Sequence, residues 1–102
     1  MKYNLIITDS AADDLVRIVD YIASDSIANA NKFHDEIIKT LSKLINTPFI
    51  GYESKIKKLR LMGYRNLVIG NYLAYYIVNE SKTEVQIIRI IHGARKQEKQ
   101  FK

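Results

Sequence analysis

Residues Tyr72 to Arg95, YLAYYIVNESKTEVQIIRIIHGAR, constrain the fold more than any other stretch of this chain. Apolar and β-branched residues fall at Leu73, Tyr75, Ile77 and Val78 and again at Val85, Ile87, Ile88, Ile90 and Ile91, with the polar run Asn79-Glu80-Ser81-Lys82-Thr83 between them. This is the pattern of two strands folded back on each other. A strand with one face in water alternates. Here both parities are largely apolar, so the pair is expected at the centre of a sheet, with cover needed on both faces.

The rest of the chain must supply that cover. Lys2 to Thr8 alternates weakly around Tyr3, Leu5 and Ile7 and reads as a short strand. Ala12, Leu15, Ile18, Val19 and Ile22 then recur at helical spacing, with Asp13, Asp14, Arg17 and Asp20 assigned to the polar side and Ser10 with Asp13 placed as a capping box. After Ala23-Ser24-Asp25-Ser26 a second helical period runs through Ile27, Ala30, Phe33, Ile37, Leu41 and Leu44, and Pro48 with Gly51 ends it. The spacing predicts helices near 10–24 and 27–46, packed as an antiparallel hairpin. Further on, Leu59 and Leu61 alternate with Lys58 and Arg60 as in a half-buried strand, Arg65 to Ile69 is another, and Gly70-Asn71 turns into the hairpin. The order β-α-α-β-β-β-β predicts an α+β fold: an N-terminal strand, a helical hairpin, then an antiparallel four-strand meander with the helices on one face.

At 102 residues the chain is expected to form one domain, 1–102, of which 93–102 is a polar C-terminal tail. Cysteine is absent and no apolar run approaches the roughly 20 residues that span a bilayer, so a cytoplasmic protein without disulfides is expected. His34, Asp35 and Glu36 lack a further ligand at metal spacing, and neither metal nor cofactor is expected. Charge divides the chain. Residues 1–46 hold five Lys or Arg against seven Asp or Glu, whereas residues 47–102 hold eleven against four. The basic second half favours an anionic partner, either nucleic acid or an acidic protein.

Several pieces taken in order form a familiar set: Asp20-Tyr21-Ile22-Ala23 on the first helix, Ala30, Phe33 and Ile37 on the second, Pro48 and Gly51, Lys58-Leu59-Arg60, and the ending Ile88-Arg89-Ile90-Ile91-His92-Gly93-Ala94-Arg95. Together they resemble the RelE/ParE superfamily of toxins from type II toxin–antitoxin systems. The resemblance implies a bacterial growth inhibitor silenced by a partly disordered antitoxin, which the basic second half of the chain leads us to expect to be acidic. It also implies one of two targets. RelE-like members cleave mRNA on the ribosome without a metal, and ParE-like members inhibit DNA gyrase. Several ribonuclease members carry an Arg near the position of Leu73, and the ending His92-Gly93-Ala94-Arg95 looks more like ParE, so gyrase is the expected target.

A metal-independent ribonuclease needs a base, an acid and cations for the phosphorane. His92 is the candidate acid or base, with Arg60 and Arg95 as cations; Arg65, Arg89, Lys55 and Lys57 are further candidates. Strand alternation sends Arg89 and His92, three residues apart, to opposite faces, which argues against a site using both. In a gyrase inhibitor the same basic groups serve as contacts, and Lys57, Arg60, Arg65, His92 and Arg95 are expected to meet the antitoxin or the target. Plainer roles stand beside these: His92 as a hydrogen-bonded strand end, Arg89 paired with a carboxylate, the lysines as a solvated face. A non-toxic basic module that binds RNA or protein is the remaining alternative.

Overall fold

The computed structural model describes residues 2–94. Strand β1 (Asn4–Ile7) leads into helices α1 (Asp9–Ala23) and α2 (Ile27–Ser42) and a 3-10 turn (Lys43–Ile45). β2 (Tyr52–Glu53), the short helix α3 (Lys57–Leu61), β3 (Arg65–Ile69), β4 (Tyr72–Asn79) and β5 (Glu84–His92) follow. The strands form one sheet in the order β1-β5-β4-β3-β2. β2 to β5 make an antiparallel four-strand meander, and β1 joins parallel to β5, so the sheet is mixed.

Both long helices pack on one face. Ala11, Ile37, Leu41 and Leu44 are buried against Ala74, Tyr76, Val85 and Ile87 of the central strands. The cap of α1 is Thr8 rather than Ser10, which lies inside the first turn. Thr8 Oγ1 accepts the Ala11 N–H at 3.3 Å and donates to the Ile87 carbonyl at 2.8 Å. One hydroxyl thus satisfies a helix amide and a strand carbonyl together, an advantage that local spacing does not display.

The second face departs from expectation. Lys57–Leu61 is a turn of helix, not a strand, and the first strand of the meander is the two-residue β2. Only Leu59 of this segment turns inward, joining Tyr64, Tyr75 and Ile91 in a second cluster that Leu73, Ile77 and Ile88 flank. Leu61 points away, 75% exposed. The segment contains no β-branched or aromatic residue, and Lys, Leu and Arg are good helix formers, so propensity favoured the helix that alternation concealed. The face expected to lack a helix is therefore covered in part by α3.

Two features shape the edge of β5. Pairing with β1 stops at Ile7 opposite Ile87, leaving the C-terminal half of β5 without a strand on that side. Between β4 and β5 the register shifts: Tyr75 opposes Arg89 and Tyr76 opposes Ile87, so Ile88 is an extra residue and the strand bulges.

Candidate functional site

A cleft of about 600 Å³ opens where α1 passes the end of β5. Its floor is Asp14, which helical spacing assigned to the solvent side but which is 4% exposed. The position lies three residues after Ala11 and four before Ile18, within the apolar stripe, where a carboxylate requires a partner. Its partners come from both walls. Arg89 donates Nε to Oδ2 at 2.7 Å and Nη2 to Oδ1 at 2.9 Å, the Ile90 N–H reaches Oδ2 at 2.9 Å, and Arg17 Nη2 reaches Oδ1 at 2.6 Å. Asp14 thus substitutes for the missing neighbour strand by accepting an edge N–H that points away from β4. The fork-to-fork geometry is that of a strong charge-assisted pair. The hydrogen bond to Asp14, ahead of the opposing effect of burial, holds the Arg89 guanidinium above its ordinary range.

The cleft lies between α1 and the end of β5, and it collects side chains of both parities: Arg89, Ile90, Ile91 and His92 all line it. Alternation still holds between Arg89 and His92, which lie opposite Tyr75 and Tyr72 in regular register, yet both line the same cleft. The missing information was the early end of β1, which bares the edge of β5 and leaves no local mark on the sequence. His92 sits edge-on to Tyr72, ring centroids 5.2 Å apart, and Tyr72 in turn packs on Phe33 at 5.3 Å. The Ala94 N–H donates to His92 Nδ1 at 3.1 Å, so the neutral ring carries its proton on Nε2.

The other basic candidates lie elsewhere. Arg60 is on α3, which covers the opposite face, and donates to the Ser54 carbonyl at 3.1 Å; it does not line the cleft with His92. Arg65 binds the Gly51 carbonyl through Nη2 at 2.7 Å and Nε at 3.2 Å, and the Phe49 carbonyl at 3.2 Å, which ties down the loop before β2. Gly51 is needed there, because a Cβ would come within 2.6 Å of Tyr76 Oη and nearer still to the Asn66 carbonyl. Lys55 lies over the Tyr52 ring at 5.5 Å, and Lys57 is exposed. Leu73, at the position where an Arg would favour the ribonuclease, packs against the second apolar cluster. Arg95 and the rest of the expected tail from 95 onward lie outside the described residues. Among the described residues no group of three or more His, Asp or Glu is arranged to hold a metal, and no helix is long and apolar enough to cross a membrane.

Comparison with known proteins places this arrangement. The family model of the ParE toxin of the type II toxin–antitoxin system parDE matches residues 5–97. Among solved structures, the chromosomal ParDE toxin–antitoxin system from P. aeruginosa shares the fold with a TM-score of 0.71 and 26% identity, over 89% of this chain and 96% of that chain. The toxin–antitoxin complex RelBE2 from Mycobacterium tuberculosis matches with a TM-score of 0.60 and 20% identity, over 90% and 99% of the two chains, a likeness of fold alone. No curated protein matches the chain significantly in sequence. Because the family match runs from β1 past the end of β5 and so takes in both the sheet and the cleft, the chain belongs to the ParE toxin family of type II toxin–antitoxin systems.

Proposed function

We propose that this toxin inhibits growth by binding DNA gyrase through surface contacts, without chemical catalysis, and that an acidic antitoxin neutralises it. The observation that carries the reading is the state of the cations beside His92. Arg17 and Arg89 are both hydrogen-bonded to the Asp14 carboxylate, which lies on the floor of the cleft. A phosphorane needs cations directed at it rather than at a carboxylate. Leu73, half-buried against apolar neighbours, supports the same reading. Lys57, Arg60, Arg65, His92 and Arg95 then act as contacts for the antitoxin or the target, with Arg65 contributing charge while its fork stays on the Gly51 and Phe49 carbonyls. One observation favours the ribonuclease alternative: Arg89 and His92 do share a cleft.

Purified protein tested on gyrase supercoiling and on mRNA bound to programmed ribosomes separates the two. We expect supercoiling to be inhibited and mRNA to stay intact, with His92→Ala changing inhibition by less than about tenfold. Codon-dependent cleavage with normal supercoiling, slowed about 10²-fold or more by His92→Ala, would establish the ribonuclease instead.

A further inference from the structure

We propose that the cleft between α1 and the end of β5 is a carboxylate-recognition site, which takes an Asp or Glu side chain flanked by an apolar residue from the antitoxin. The proposal rests on the toxin–antitoxin reading and adds the place and the chemistry of contact.

The hydrogen-bonding inventory of the cleft argues for an anionic, acceptor-rich occupant. Asp14, the acidic group of the lining, already accepts four hydrogen bonds, two on each oxygen, and is all but removed from solvent. It has little capacity left for an incoming donor. Asn71, Tyr21 and Tyr72 can donate or accept, and what the cleft presents beyond them are donors. Arg17 gives a single Nη2 bond to Asp14, makes no other among the described residues, and keeps 66% of its side chain exposed. His92 presents Nε2–H, since its Nδ1 receives the Ala94 N–H, and the ring is held against Tyr72. Arg89 balances the charge of Asp14, so Arg17 is the surplus cation.

The walls require more than a bare anion. Ile18, Ile90 and Ile91 supply apolar surface, and Tyr21 stands at the mouth with 76% of its surface exposed. An exposed aromatic beside an arginine is the composition of a protein-binding hot spot. The volume of about 600 Å³ suits two side chains rather than one ion. Nucleic acid fits less well, because a phosphate backbone asks for a track of cations and this cleft offers one in surplus beside apolar walls. A second copy of this chain carries +5 and is a poor source of negative charge. An acidic antitoxin segment meets both the donors and the walls.

The test measures affinity of the cognate antitoxin for purified toxin variants by calorimetry, after thermal unfolding has shown each variant to be folded. Arg17→Glu and Tyr21→Ala are each expected to weaken binding about tenfold or more, and Arg17→Lys to weaken it less. The control Lys39→Glu, on exposed α2 surface, makes the same change in net charge and should shift affinity less than threefold. Should Arg17→Glu fail to fold, Tyr21→Ala decides alone, because that side chain makes no hydrogen bond among the described residues. Binding within threefold of wild type for the folded variants overturns the site while leaving the toxin–antitoxin reading intact. Failure of wild-type toxin to bind the antitoxin removes both. If Arg17→Glu instead abolishes binding of a single-stranded RNA 20-mer and spares the antitoxin, the occupant is nucleic acid and the proposal is wrong.

Discussion

At the scale of single residues, one carboxylate joins two elements remote in sequence. Asp14 and Arg89 are 75 positions apart, and each would be costly to bury alone. Removing Arg89 leaves the buried Asp14 with only the exposed Arg17 as counter-charge, so Arg89→Met should destabilise the chain by up to about 3–5 kcal/mol, read from urea unfolding. The double variant Asp14→Leu with Arg89→Met should cost clearly less than the sum of the two single changes, because no charge is stranded. It will not reach wild-type stability, since the Ile90 N–H loses its acceptor at a cost of about 1–3 kcal/mol. Additive single effects would mean that the pair is not coupled. The sequence did contain the clue, an aspartate on the apolar stripe of α1, but its partner is chosen by a bulge and an uncovered strand edge that appear only in three dimensions. The plainer reading of Arg89, a guanidinium paired with a carboxylate, is the one the structure bears out.

Among elements, legibility follows the range of the interactions that decide each one. The helical hairpin and the three longer strands of the meander were readable because their signals are periodic and local: Ala30, Ile37 and Leu41 on one stripe of α2, apolar residues on both parities of β4 and β5. The segment 57–61 was misread because two leucines separated by one residue look like alternation while a single helical turn buries only one of them. That difference can be measured. Leu59→Ala, at a position 1% exposed, should cost about 2–5 kcal/mol, whereas Leu61→Ala, 75% exposed, should change stability by less than about 0.5 kcal/mol. Equal losses at the two sites would restore the strand reading. The two residues of β2 gave no pattern at all, because the strand is positioned by the Arg65 fork on the Gly51 carbonyl and by the close approach of Gly51 to Tyr76.

Across the whole molecule, charge and apolar surface are distributed so that encounter and retention fall to different places. The basic excess belongs to the second half of the chain, and Lys57, Lys58 and Arg60 concentrate it on α3, over the face opposite the helical hairpin. At about 0.15 M salt the screening length is about 8 Å, well short of the 21 Å smallest dimension of the molecule, so a partner senses the nearest patch rather than the net +5. Exposed charges at such a rim steer association and are screened, whereas groups in a partly desolvated cleft govern how long a complex lasts. For the complex with an acidic antitoxin we therefore expect Lys57→Glu with Lys58→Glu to lower the association rate and flatten its dependence on salt, with the dissociation rate changed by less than about threefold. Arg17→Glu should act chiefly by speeding dissociation. Stopped-flow association at several ionic strengths, paired with dissociation by competition, reads both effects. An association rate insensitive to salt in the wild-type toxin would show that the basic second half plays no part in capturing the antitoxin, and would leave its charge to be explained by the target.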